Sequence, residues 1–90
     1  MKLKFFATYR ELTGSKEINI TAPPDARALL DALVERYGKV MGEKLFTESG
    51  GISEDAILLV NGRHISHLSG LDTPLSEEDE VSLFPMVAGG

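Results

Sequence analysis

The chain has 90 residues, of which 42% are hydrophobic, a formal net charge of -5 and no cysteine. This length supports one modest core, so we expect residues 1–90 to form a single domain. The lack of cysteine excludes disulfides, zinc–thiolate sites and a cysteine nucleophile. The acidic balance disfavours nucleic acid as a partner. Because there is no run of eighteen apolar residues and no signal-peptide pattern, we expect a cytoplasmic protein that does not enter a membrane.

The chain begins with two alternating patterns that predict a pair of strands. The first is expected over residues 3–9, where one face carries the side chains of Leu3, Phe5, Ala7 and Tyr9. Residues 10–15 indicate a turn. Residues 17–21 alternate again, with Ile18 and Ile20 inward, so this strand should pair with the first as a hairpin.

A helix is predicted over residues 25–37. Asp25 follows two prolines and can cap the free amides of the first turn. Gly38 suits the left-handed backbone conformation that closes a helix. The apolar residues between them follow helical spacing: Leu29, Leu30, Leu33, Val34 and Tyr37.

The second half of the chain predicts three further strand segments. Residues 39–55 are expected to form a short helix, with an apolar edge of Val40, Met41, Leu45 and Phe46, and then a loop. A buried strand, a tight turn at Asn61-Gly62 and a short returning strand follow. The predicted segments are 56–60 and 63–65 for these strands, 68–75 for an irregular loop, 77–80 for an acidic turn and 81–84 for the final strand.

This order of elements predicts an α+β domain. A helix that crosses one face of a mixed sheet fits the β-grasp, or ubiquitin-like, arrangement. In that arrangement the first strand lies centrally and the last strand lies parallel beside it. A three-layer α/β fold would need more helices than the chain supplies.

Strand alternation places three apolar side chains on the face of the sheet that points away from the helix: Phe6, Leu59 and Phe84. An apolar group on an open sheet face is a candidate partner-binding patch. The alternative is that residues 39–55 or the loop 66–75 fold over these side chains as a second small core.

The chain ends in Gly89-Gly90, shortly after the final strand and Pro85. Two residues without side chains would let a carboxylate enter a narrow tunnel that a Cβ atom would block. We therefore interpret residues 86–90 as a flexible tail with the Gly90 carboxylate as its reactive group. The expected partner contacts along it are Met86, Val87, Ala88 and Gly89. A chance Gly-Gly pair in a frayed terminus is the alternative.

Other groupings give weaker signals. His64 and His67 have no third ligand at a clear spacing, so no metal site is predicted. The acidic residues 77–80 are typical of a solvated turn, although they could also steer a basic partner. No glycine-rich loop of the phosphate-binding kind is present, so ATP would have to bind a partner.

Three segments of the sequence carry a resemblance to a known family. They are FATYRELTG at 6–14, LVNGR at 59–63 and LSEEDEVSLFP at 75–85, together with the Gly-Gly end. With these the chain resembles the ubiquitin-like sulfur carriers, and most closely the small subunit of molybdopterin synthase. It departs from that pattern at Met86, where a second proline is common, and at Glu78, where glycine is frequent.

The resemblance implies a non-catalytic carrier that binds no cofactor itself. A ubiquitin-activating-type adenylyltransferase would use ATP and Mg²⁺ to adenylate Gly90, a sulfur donor would convert the adenylate to a thiocarboxylate, and the large subunit of molybdopterin synthase would use that sulfur. Three alternatives remain: a sulfur carrier for thiamine thiazole, a protein modifier that forms isopeptide bonds through Gly90, and an interaction module without chemistry.

Overall fold

The computed structural model describes residues 1–86 as five strands, three α-helices and two short 3₁₀ turns. None of these helices is long and apolar enough to cross a membrane. In chain order the elements are β1 (Lys2–Phe5), α1 (Thr8–Thr13), β2 (Glu17–Asn19), α2 (Ala26–Tyr37), α3 (Lys39–Leu45), β3 (Ile57–Val60), β4 (Arg63–His64), 3₁₀ turns at Ile65–His67 and Gly70–Asp72, and β5 (Glu80–Phe84).

The strands form one mixed sheet in the order β2-β1-β5-β3-β4. β1 and β5 run parallel, with Leu3 opposite Val81 and Phe5 opposite Leu83, whereas the other neighbouring strands are antiparallel. This confirms the predicted α+β, β-grasp sheet with β1 inside and the last strand parallel to it. A parallel neighbour needs a crossover connection, and the chain between β2 and β3 supplies it through α2 and α3.

One face of the sheet packs against the helices and forms the core. Leu3, Phe5 and Leu83 are fully buried there. Because successive side chains of a strand point to opposite faces, this arrangement leaves the even-numbered residues of β1 and β5 on the other face. We call that second surface the open face.

The main helix begins and ends where the sequence predicts. The Asp25 side chain accepts a hydrogen bond from the Ala28 N–H at 2.9 Å, and Gly38, at φ +89°, donates its N–H to the Val34 carbonyl at 2.7 Å. The same Gly38 turns the chain directly into α3, where Met41 and Leu45 are buried. The predicted apolar edge of this second helix is narrower than expected, since Val40 is 56% exposed.

The first strand is shorter than predicted, and the expected turn at 10–15 is mostly helix. β1 ends at Phe5, Ala7 is exposed at φ +52°, and α1 begins at Thr8. Tyr9 is buried as expected, but it enters the core from α1, and its hydroxyl donates to the Asp55 carbonyl at 2.6 Å. β1 and β2 do pair, yet they are joined through this helix and not by a tight hairpin turn.

Candidate functional site

Two aromatic rings stack where the central strands end. The Phe6 and Phe84 rings have centroids 4.1 Å apart and are nearly parallel, at 9°. The in-register pair Phe5 and Leu83 places the next residue of each chain side by side, and the Phe6 N–H extends the ladder by donating to the Leu83 carbonyl at 3.1 Å. Both rings are half-buried on the open face, as the strand alternation predicts.

A guanidinium group lies over one of these two rings. Arg10 Cζ lies 5.7 Å from the centroid of the Phe6 ring, within the range of a cation–π interaction, and Arg10 Nε donates to the Phe5 carbonyl at 3.4 Å. Helix α1 positions this side chain. Sequence reasoning missed Arg10 because it assigned residue 10 to a turn.

β3 supplies the aliphatic part of the open face. Leu59 pairs with Ser82, and Ile57 pairs with Phe84, so Ile57 lies directly opposite the stacked ring while Leu59 lies diagonally from it. Both side chains are half-buried. Ile57 was missed, although it has the same strand parity as Leu59 and that parity could have identified it. We call Phe6, Ile57, Leu59 and Phe84 the apolar patch.

The two segments that could have covered this patch pack mainly against the core. Phe46 and Ile52, from residues 39–55, lie against it, and so do Leu71 and Leu75, from the loop before β5. Ile52 and Leu71 also line a groove together with Ile57, so these segments border the patch on the side of β3.

The opposite end of the open face is charged. Lys4 Nζ and Glu80 Oε1 are 2.7 Å apart across β1 and β5. The hydrogen bond to Glu80, together with its negative charge, raises the pKa of Lys4, and the same bond from Lys4 lowers the pKa of Glu80. Both groups are exposed to solvent, so this ion pair makes that end of the open face polar and contributes little to stability.

The root of the tail lies at the apolar end of the face. Pro85 follows β5, and Met86 is 52% exposed, with its N–H donating to Asp55 Oδ1 at 3.3 Å. Val87, Ala88, Gly89 and Gly90, for which partner contact, mobility and the reactive carboxylate are predicted, lie outside the described residues.

An apolar groove of about 360 Å³ adjoins the tail root. The Met86 side chain lines it together with Ile52, Ile57, Ile65 and Leu71. Ile57 and Met86 therefore connect the groove with the patch, and the apolar surface around the tail root is larger than the three side chains expected from the sequence.

The two histidines lie on the far strand and the turn after it. Their ring centroids are 6.4 Å apart, and His64 Nδ1 accepts from the Ser66 N–H at 3.0 Å, which occupies one ring nitrogen. Within residues 1–86, no three His, Asp or Glu side chains come together in a group that could hold a metal ion.

A five-stranded mixed sheet with one main helix across its inner face and an apolar outer face beside the tail root defines the ubiquitin-like β-grasp class. Within that class the chain belongs to the ThiS family of sulfur carriers, whose family model matches residues 3–90.

Several known proteins are similar over the whole chain. Small archaeal modifier protein 3 of Haloferax volcanii is 39% identical over 92 residues, covering 100% of this chain and 98% of that protein. The solution structure of small archaeal modifier protein 1 from Methanosarcina acetivorans superposes with a TM-score of 0.83 at 30% identity, covering 99% of this chain and 94% of that one.

A second similar structure has a different description. It is a Pyrococcus furiosus protein provisionally assigned as subunit 1 of a molybdopterin converting factor, with a TM-score of 0.76 and 33% identity, covering 96% of this chain and 95% of that one. The similar proteins therefore include both small archaeal modifier proteins and a provisionally assigned subunit of a molybdopterin converting factor.

Proposed function

We propose that this chain is a sulfur carrier that donates sulfur from a thiocarboxylate on Gly90 during molybdopterin synthesis. The observation that carries the proposal is the position of the stacked Phe6–Phe84 pair, in which Phe6 directly follows β1 and Phe84 ends β5 just before the tail that leads to Gly89-Gly90. A partner that docks on the patch would have the Gly90 carboxylate within reach of its own active site.

The chemistry begins with activation, because the negative charge of a carboxylate resists nucleophilic attack. A carboxylate oxygen of Gly90 attacks the α-phosphorus of ATP, which forms an acyl-adenylate and releases pyrophosphate. ATP and Mg²⁺ are bound by a ubiquitin-activating-type partner. The side chains described here form no catalytic constellation, so acid–base groups come from that partner.

Sulfur then replaces the AMP group in two steps. A persulfide sulfur of a donor protein attacks the acyl carbon and expels AMP, which gives an acyl disulfide. A donor thiol cleaves its S–S bond, leaving a thiocarboxylate on Gly90 and a disulfide on the donor. The thiocarboxylate sulfur adds to a polarised double bond of the acceptor, whose π electron pair takes up a proton, and water then cleaves the acyl C–S bond of the resulting thioester, which restores the Gly90 carboxylate and leaves the sulfur on the acceptor as a thiol.

The apolar patch would supply the affinity for these encounters. Ordering a free tail in a partner's channel costs roughly 1–2 kcal/mol per residue. Half-buried aromatic side chains on an open face are typical anchors that offset such a cost. The provisionally assigned Pyrococcus subunit supports molybdopterin synthesis as the pathway, and the resemblance to the small synthase subunit implies the large subunit as the recipient.

Protein modification is the second candidate. It is favoured by the 39% identity to small archaeal modifier protein 3 over the whole chain. Both functions share the adenylation step, and they differ in whether sulfur or the amine of a lysine attacks the acyl carbon.

Intact-mass measurement of the protein from its native host separates the two functions. A thiocarboxylate adds about 16 Da, the difference between one sulfur and one oxygen, whereas modification yields conjugates with larger proteins. For the pathway, the thiocarboxylated chain and a molybdopterin synthase large subunit should convert the precursor without another sulfur source. Absence of both the mass shift and ATP–pyrophosphate exchange with the host's activating enzyme would refute the carrier function.

A further inference from the structure

Asp55 joins three separate parts of the fold. Its carbonyl accepts from the Tyr9 hydroxyl of α1 at 2.6 Å. One carboxylate oxygen, Oδ2, lies 3.9 Å from Lys44 Nζ of α3. The other, Oδ1, accepts from the Met86 N–H at the tail root at 3.3 Å. A single residue before β3 thus connects two helices with the point where the chain leaves the sheet.

The Met86 N–H is the first backbone donor that the chain can offer beyond the sheet. Pro85 has no N–H, so the ladder of β5 loses a donor immediately after Phe84. Met86 is therefore attached by its bond to Asp55 and by its side chain, which lines the groove beside Ile57. The hydrogen bond holds the backbone of Met86 against the segment before β3.

The backbone that presents the Asp55 carboxylate is itself held in place. The Asp55 N–H donates to Ser53 Oγ at 3.1 Å, and the Ala56 N–H donates to the Ser53 carbonyl at 3.1 Å. The Tyr9 ring is fully buried, and burial, followed by the nearby charge of Asp55, raises the pKa of Tyr9, so its hydroxyl stays a neutral donor to the Asp55 carbonyl.

We propose that Asp55 is a positioning residue that sets the direction in which the tail leaves the domain, and so aims the Gly90 carboxylate at a partner's active site. This rests on the proposed function. The tail continues directly from Met86, so the position of Met86 decides where the tail would enter a partner's channel. A displaced Met86 would lower the fraction of bound chains whose carboxylate is placed for in-line attack on ATP.

The test uses the full-length chain and the host's ubiquitin-activating-type enzyme, with ATP–pyrophosphate exchange as the assay. Asp55→Ala removes the acceptor of the Met86 N–H and should lower kcat by roughly three- to tenfold. The KM of the activating enzyme for this chain should stay within about twofold of the wild-type value, because the apolar patch on which docking depends is unchanged. Asp55→Asn keeps an amide oxygen at the same place and should retain most of the activity.

Lys44→Met is the matched control. It removes the charge next to Asp55 Oδ2 but leaves the bond to Met86, so its kcat should equal that of the wild type. Hydrogen exchange of the Met86 amide gives a second readout that requires no enzyme. This amide should exchange faster in Asp55→Ala than in the wild type, and at the wild-type rate in Asp55→Asn and Lys44→Met.

Wild-type kcat together with unchanged Met86 exchange in Asp55→Ala would overturn the proposal. If Asp55→Ala does not fold, Asp55→Glu replaces it, since the added methylene moves the carboxylate away from the Met86 N–H, and it should show the same fall in kcat. If the wild type itself shows no ATP–pyrophosphate exchange, the carrier function is refuted. The hydrogen-exchange rate of the Met86 amide in the same variants then tests separately whether Asp55 holds the tail root.

Discussion

The ring of Phe84 lies flat against the ring of Phe6, with 4.1 Å between their centroids. Because β1 and β5 are parallel and in register at Phe5 and Leu83, the two rings emerge together at the same end of the sheet. Phe84 is also the last residue before Pro85 and the tail root. A partner that binds the stacked rings is therefore placed beside the point where the tail begins.

We expect Phe84→Ala to weaken the complex with an activating enzyme by roughly 1–3 kcal/mol, since a half-buried aromatic on an open face is a typical interface anchor. The isolated chain should lose the stacking contact with Phe6, worth roughly 0.5–1.5 kcal/mol beyond the apolar area that the half-buried ring covers, and this is less than a fully buried phenylalanine would cost. Titration calorimetry measures the first effect and urea unfolding the second. Unchanged affinity in this variant would show that partners dock elsewhere.

Leu83→Ala should mainly lower the stability of the isolated chain, whereas Phe84→Ala should mainly lower its affinity for the activating enzyme. Leu83 is fully buried on the inner face, and truncation of a buried leucine to alanine costs roughly 2–5 kcal/mol of unfolding free energy. Ser82→Ala, on the neighbouring open-face position, is the control and should change stability little. If Phe84→Ala destabilised the isolated chain more than Leu83→Ala, the assignment of the two faces would be wrong.

Local signals were sufficient to predict α2 and the sheet. Asp25 caps the helix and Gly38 ends it, and both act through hydrogen bonds within a few residues of their own position. The alternation of Val81, Ser82 and Leu83 likewise identifies the inner face of β5, because successive side chains of a strand point to opposite faces and those that face the core are apolar. These features depend only on residues close together in the chain, so they can be predicted from the sequence.

The change from strand to helix at Ala7 could not be predicted in the same way. Phe5 and Tyr9 continue a period of two and are both buried, so the pattern looks unbroken. The backbone nevertheless turns at Ala7, which has a positive φ that non-glycine residues rarely adopt. The bond from Tyr9 to Asp55 spans 46 residues, and no local pattern indicates it.

The same reason explains which parts of the candidate site were missed. Phe6, Leu59 and Phe84 follow from strand parity, whereas the contact of Arg10 with Phe6 requires helix α1 to be known. The bond from Met86 to Asp55 joins residues 31 apart in sequence. Contacts of this kind are set by the assembled fold and not by either segment alone.

Deletion of Gly90 should abolish adenylation, because the reactive carboxylate would then end one residue short of the activating enzyme's ATP. Gly89→Val should act similarly by adding a branched side chain where a narrow channel is expected. Both variants should unfold at the wild-type urea concentration, as they change nothing within residues 1–86. Wild-type rates of ATP–pyrophosphate exchange in either variant would contradict the role of the tail.

The last prediction concerns Asp79, which ties the β3–β4 turn to the segment before β5. Asn61 Nδ2 donates to Asp79 Oδ1 at 2.9 Å, and the Ser76 N–H donates to Oδ2 at 2.8 Å. These bonds, the one from Asn61 first, hold the pKa of Asp79 below its ordinary value of 3.8.

The pKa of Asp79 is lowered in the folded state only, so below about pH 4 the unfolded chain binds more protons than the folded chain does. The stabilisation by Asp79 is therefore complete above that pH and is lost as the pH falls further. Asp79→Ala should therefore reduce the free energy of unfolding at neutral pH and make its decline in acid shallower. Some decline should remain, since the hydrogen bond from the Ala22 N–H likewise lowers the pKa of Glu77. Urea unfolding at a series of pH values measures this, with Glu78→Gln on the same turn as the control. An acid decline as steep in Asp79→Ala as in the wild type would show that the Asn61 and Ser76 bonds do not stabilise the charged form.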